Sequence, residues 1–153
     1  SDMIKSLKFQ GRRSISPMFG RALAERIRSL DLTDRIDVIA ATPVSSGTFA
    51  VRGFNHAEDI AEFVARELGK PLIRGLLRKI RNTAPQATLG REERLKNLKD
   101  AFSCNRPEQI DDQRVLLVDD VMTTCATMVE CARACRDAGA RGTIAAVVAR
   151  SVG

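Results

Sequence analysis

An α/β fold, a mostly parallel sheet with helices on both faces, is what three features of this 153-residue chain point to. The first is a continuous apolar run, Val115 to Val118, which suits a strand covered on both faces. The second is a helical pattern over Met128 to Ala138, stopped by Gly139, with a strand next over Thr143 to Ala149. Together with the Val115 run this makes a strand–helix–strand unit of ordinary length, expected to cross over right-handed. The third is a further apolar strand, Ile36 to Ala41, set between helical patterns, so that strands and helices alternate along the chain.

Length and composition narrow the class. One domain spanning 1–153 is expected, large enough to bury a core. With 44% apolar and 29% charged residues the chain reads as an ordinary globular domain. No run of ~18 apolar residues offers a membrane span, and no secretory signal pattern is visible. The expected location is the cytoplasm. The net charge of +6 suits anionic partners such as phosphates, pyrophosphate or nucleic acid. Trp and Tyr are absent and Phe alone supplies aromatics, which is thin for stacking single-stranded bases. The four cysteines form no C-x-x-C pair and the one histidine, His56, is distant, so no zinc site is expected. Cys131 and Cys135, spaced i, i+4, read as small buried apolar residues in a reducing compartment.

In chain order, residues 1–13 form a basic lead-in. Pro17 to Leu30 reads as a helix, with Pro17 at its first position and Leu23, Ile27 and Leu30 on one face. The Ile36 strand leads into a loop, Thr42 to Arg52, rich in Ser, Gly and Thr. Asn55 can cap a helix over His56 to Leu68, its inward face Ile60, Phe63, Val64 and Leu68, with Gly69 as its stop. Leu72 to Leu77 reads as a strand. Arg78 to Lys99 is long, polar and basic, broken by Pro85 and Gly90, and a loop of that length within a domain is functional or disordered. Its last part, Arg91 to Leu98, can form a short helix. Ala101 to Cys104 reads as a short strand and Pro107 to Gln113 as a polar turn.

Chemistry concentrates after the Val115 run. Asp119 and Asp120 stand at the carboxyl end of a central strand, where open α/β sheets bind ligands. The turn Thr123-Thr124-Cys125-Ala126-Thr127 then opens onto a helix N-terminus, which favours an anion. A receiver domain also carries an acidic pair after a strand, but needs on the order of 100 further residues, and only 33 follow Asp120. No Gly-Lys-Ser/Thr marks a phosphate-binding P-loop. A phosphorylated ribose fits: carboxylates accept from vicinal hydroxyls, directly or through Mg²⁺, while amides and threonine hydroxyls surround a phosphate. The bland alternative is a solvated acidic turn, with Thr127 and Glu130 forming a T-x-x-E capping box.

Val115 to Thr127 resembles the PRPP-binding motif of type I phosphoribosyltransferases. Arg52-Gly53-Phe54-Asn55, Thr83 to Gln86, Arg94 to Asn97 with Asp100-Ala101-Phe102, and Ala149-Arg150 resemble motifs of the ComF-like, competence-related subgroup, in the same order and spacing. The resemblance covers nearly the whole chain from about Ile4. It implies a Rossmann-like phosphoribosyltransferase fold with a flexible hood loop over about 78–99. It assigns Asp119 and Asp120 to the ribose hydroxyls and Mg²⁺, and Thr123, Thr124, Cys125, Ala126 and Thr127 to the 5′-phosphate. Pro43, Val44, Ser45 and Ser46, with Arg52 and the hood cations Arg81 and Arg94, fall to pyrophosphate. Cys125 stands where the family has glycine, His56 where glutamine is common, and the pyrophosphate loop is about two residues short. The zinc-ribbon cysteine pairs of many members do not occur in this sequence.

The implied reaction is Mg²⁺-dependent displacement of pyrophosphate from PRPP by a nitrogen nucleophile, with Asp119, Asp120 and Arg52 carrying it. The alternative is a non-catalytic PRPP- or nucleotide-binding protein acting in DNA uptake or regulation. A homodimer is a possible partner arrangement, and single-stranded DNA is one the charge allows and the aromatics do not favour.

Overall fold

The computed structural model of the chain describes residues 15–44, 55–80, 90–122 and 125–150; the side chains of Arg91, Arg94, Leu95, Asn97 and Met122 lie outside that description. In chain order the elements are α1 (Ser16–Ser29), β1 (Val38–Ala41), α2 (His56–Leu68), β2 (Leu77–Lys79), α3 (Arg91–Leu98), β3 (Phe102–Cys104), β4 (Arg114–Met122), α4 (Ala126–Asp137) and β5 (Gly142–Arg150). Short 3₁₀ turns cover Thr33–Arg35 and Pro107–Gln109.

β4 is the middle of a parallel sheet ordered β1-β4-β5. Its register pairs Val38 with Val115 on one side and Val115 with Thr143 on the other. Alternation along β4 supplies two cores. Val115 and Leu117 point into a cluster with Val38, Ala40, Met128, Cys131 and Cys135, beneath α4. Leu116 and Val118 point the other way, into a cluster with Ile27, Ile39, Ile60, Val64 and Leu68 from α1, β1 and α2. At the far end of the strands, Asp37 accepts from the Arg114 backbone N–H (2.8 Å) and from its guanidinium (2.9 Å twice), which pins β1 to β4.

Helix ends obey local chemistry. The Asn55 side chain accepts from the Ala57 and Glu58 N–H groups, and Gly69 closes α2 at φ 65°, the left-handed conformation that glycine adopts freely. α1 packs on α2 through Gly20: a Cβ there would lie 2.3 Å from the Phe63 Cβ.

Two expectations are corrected. Leu72 to Leu77 is not one strand. Leu72 makes a single parallel bridge to Ile39, then Arg74 and Gly75 turn, Gly75 at φ 62°, and the chain restarts as β2, antiparallel to β3. The central strand does not end before the acidic pair but runs on to Met122, so both aspartates are strand residues.

Candidate functional site

The strands are parallel, so the carboxyl ends of β1 and β4 share one edge, where Thr42, Pro43 and Val44 come beside Asp119 and Asp120. The Thr42 N–H donates to the Val118 carbonyl at 3.0 Å, carrying the ladder one residue past β1. Pro43 and Val44 come next, half-buried. Consecutive strand residues point to opposite faces, so Asp119 lies on the α4 side and Asp120 on the α1–α2 side. Both carboxylates fold back along the strand: Asp119 Oδ1 accepts from the Asp120 N–H (2.8 Å) and Asp120 Oδ1 from the Val121 N–H (2.8 Å). Asp120 is buried and Asp119 half-buried.

That arrangement crowds two negative charges. Burial, then the hydrogen bond and charge of the Asp120 carboxyl, push the Asp119 carboxyl up to about 7. The Asp120 amide and the Thr42 hydroxyl oppose the shift by donating to it. A site that holds a carboxylate pair this costly suits a ligand able to share its charge, such as a cation or a row of hydroxyl donors.

Cys125 is the N-cap of α4, at φ 64° and ψ 2°. Its carbonyl accepts the first helical bond, from the Val129 N–H at 2.8 Å. Left-handed backbone is strained for a residue that carries a Cβ, and the fold imposes it on this cysteine. Ala126 and Thr127 are the first two helical residues, whose N–H groups have no partner within the helix. Thr127 is therefore not the cap, which corrects the capping-box reading. The Glu130 carboxylate is used elsewhere: it accepts from the Asp100 N–H at 3.2 Å and lies 3.6 Å from the Arg133 guanidinium. It thereby ties α4 to the turn between α3 and β3.

α2 brings a second helix N-terminus to the same edge, because the Asn55 Nδ2 donates to the Thr42 carbonyl at 3.0 Å. α2 and α4 lie on opposite faces of the sheet, so the aspartate pair is flanked by two helix starts. The resemblance puts Thr42 only at the head of the pyrophosphate loop, and the sequence does not pair it with Asp119. Its signal lay in the strand register, which puts Ala41 opposite Val118 and hence Thr42 beside Asp119. His56 opens α2 as a buried residue.

Of the residues expected to act, the structure gathers Asp119, Asp120, Cys125, Ala126, Thr127, Pro43 and Val44 at this edge. Ser45, Ser46, Arg52, Arg81, Thr123 and Thr124 lie outside the described residues, and Arg94 is placed only as a backbone position in α3. Cys131 and Cys135 are fully buried. Burial pushes the Cys135 thiol up to about 12 and the Cys131 thiol well above its ordinary range, so both stay protonated packing groups. No helix among the described residues is long and apolar enough to cross a membrane.

A parallel sheet carries an aspartate pair on its central strand and a left-handed residue at the start of the next helix. The phosphoribosyl transferase domain family model matches residues 55–152, and the chain belongs to that family. Its curated relatives include competence protein F of Haemophilus influenzae, 29% identical over 91% of this chain and 62% of that protein. Another is the DNA utilization protein YhgH of Salmonella typhimurium, 33% identical over 86% of this chain and 58% of that protein. The chain thus spans about three-fifths of the length of these relatives. The fold resembles that of the Thermus thermophilus protein TT1426, with a TM-score of 0.51, 22% identity, and cover of 86% of this chain and 72% of that one.

Proposed function

We propose that the chain binds PRPP at the carboxyl edge of β1 and β4 and transfers its phosphoribosyl group to a nitrogen nucleophile. The observation that carries this is the convergence of the Asp119–Asp120 pair with the left-handed turn that starts α4. In this reading the two carboxylates accept from the ribose 2′ and 3′ hydroxyls. The turn 123–127 holds the 5′-phosphate through its amides and the hydroxyls of Thr123, Thr124 and Thr127. Pro43 to Ser46, with Arg52, Arg81 and Arg94, face the pyrophosphate.

The new C1–N bond forms as the C1–O bond to pyrophosphate breaks. The electron pair leaves with pyrophosphate and the nitrogen gives up a proton. The sugar passes through an oxocarbenium-like state, so the protein's part is positioning and neutralisation of the leaving group. A carboxylate pair crowded enough to raise one member is a fitting set of hard oxygen ligands for Mg²⁺. Bound there, Mg²⁺ would neutralise charge on the diphosphate.

A second reading has its own support. The relatives are named for competence and DNA utilization, and Cys125 places a side chain where the family's turn has none. A non-catalytic PRPP- or nucleotide-binding role in DNA uptake or regulation accounts for both.

Thermal shift tests the shared premise. PRPP with Mg²⁺ at about 100 times its Kd should raise the melting temperature by roughly 5–10 °C. Asp119→Asn/Asp120→Asn should fold and lose the shift; an equal shift in the double variant removes the aspartates from the site. Exchange of labelled pyrophosphate into PRPP, with the acceptor present, separates enzyme from binder. A steep salt dependence of oligonucleotide affinity would identify a DNA-binding surface.

A further inference from the structure

Thr42 and Asn55 stand at the two ends of the chain segment between β1 and α2, and one hydrogen bond joins them, from the Asn55 Nδ2 to the Thr42 carbonyl at 3.0 Å. Every polar group of Thr42 is engaged. Its N–H is held by the Val118 carbonyl and its carbonyl by Asn55, while the register that pairs Ala41 with Val118 sets Thr42 beside Asp119, where its hydroxyl favours the charged carboxylate. Thr42 is only 3% exposed, so these bonds form out of competition with water. The other end of the Asn55 amide is also used, its Oδ1 accepting from the Ala57 N–H (3.0 Å) and the Glu58 N–H (3.4 Å) at the start of α2. A continuous line therefore runs from the α2 N-terminus through Asn55 and Thr42 to Asp119.

We propose that Thr42 and Asn55 are positioning residues of the ligand site, setting the orientation of Asp119 and holding the α2 N-terminus at a fixed place beside it. A helix cap alone needs only the Asn55 Oδ1, and strand pairing alone needs only the Thr42 amide. The remaining two bonds do neither job: one joins Asn55 to the Thr42 carbonyl, and the other carries the connection on to the Asp119 carboxylate. A serine in place of Asn55 would still cap α2 but would lose the amide donor. A valine in place of Thr42 would keep the β-branched shape and lose the hydroxyl. The ligand assignment rests on the phosphoribosyl reading above; the positioning itself does not.

Four proteins separate the outcomes: wild type, Thr42→Val, Thr42→Ser and Asn55→Ser, each checked for an unchanged melting transition. In calorimetric titrations with PRPP·Mg²⁺ and with ribose 5-phosphate, Thr42→Val should weaken both ligands by on the order of tenfold. Thr42→Ser should bind as wild type does, which a purely structural role for this position would not produce. Asn55→Ser should weaken PRPP·Mg²⁺ by a similar factor. Without any ligand, amide exchange in Asn55→Ser should rise over residues 41–44 and leave the α2 interior unchanged. Wild-type affinity in Thr42→Val, no rescue by Thr42→Ser, or unchanged exchange over 41–44 would each overturn the positioning role. If wild type binds neither ligand, the phosphoribosyl reading fails instead, and the ligand-free exchange decides the positioning role by itself.

Discussion

Cys125 is the residue where local preference and fold disagree. Its φ of 64° puts a Cβ against the following carbonyl, a strain of about 1–2 kcal/mol that glycine escapes. Glycine loses part of that advantage through the greater freedom of its unfolded chain. Cys125→Gly is therefore expected to stabilise the protein by about 0.5–1 kcal/mol, a rise of roughly 1–4 °C on differential scanning calorimetry. Asp119 is the second such residue. Its carboxyl is raised to about 7, above the ordinary 3.8 that the unfolded chain would show. Between those values the folded state binds more protons than the unfolded one, so this group lowers stability as pH rises from about 4 to 7. Asp119→Asn should raise the ligand-free melting temperature at pH 8 and leave it nearly unchanged at pH 4. A gain of the same size at both pH values would mean that the Asp119 charge is not the strained feature.

Among the elements, the α1–α2 contact is the least forgiving. The two helices approach so closely at Gly20 that an added methyl would meet the Phe63 Cβ at 2.3 Å and the Ile60 carbonyl at 3.1 Å. Both neighbours belong to a helix and cannot swing aside. Gly20→Ala, normally favourable within a helix, should here cost about 1–3 kcal/mol by overpacking, seen as a lowered melting temperature. Caps show how much of an element is legible beforehand. Asn55 and Gly69 bound α2 as their residue types indicate, because cap chemistry is local. The T-x-x-E pattern at Thr127 misleads for the opposite reason: Glu130 finds a partner 30 residues away, at the Asp100 amide.

For the domain taken together, β4 is the shared wall of both cores, Leu117 filling one and Leu116 the other. Neither core can form while that strand is out of place, so the two should melt together. Leu116→Ala and Leu117→Ala are each expected to cost about 2–5 kcal/mol, and each variant should still unfold in one calorimetric transition. Two resolved transitions in either would show that the faces are independent. With neither Trp nor Tyr in the chain, calorimetry is the natural probe.

From residue order alone came the alternation of helices and strands, the two-faced central strand, the cap of α2 and the motifs of the phosphoribosyltransferase family. All of these depend on neighbours within a few positions or on a recurring local pattern. Tertiary structure alone decided that the acidic pair lies within β4 and that one of its carboxyls is pushed towards neutrality. It also decided that Cys125 must turn left-handed, and that Thr42 and Asn55 meet at the carboxyl edge of the sheet. Those outcomes are set by strand register and by burial, which bring together groups up to about 80 positions apart, and spacing along the chain carries no record of either.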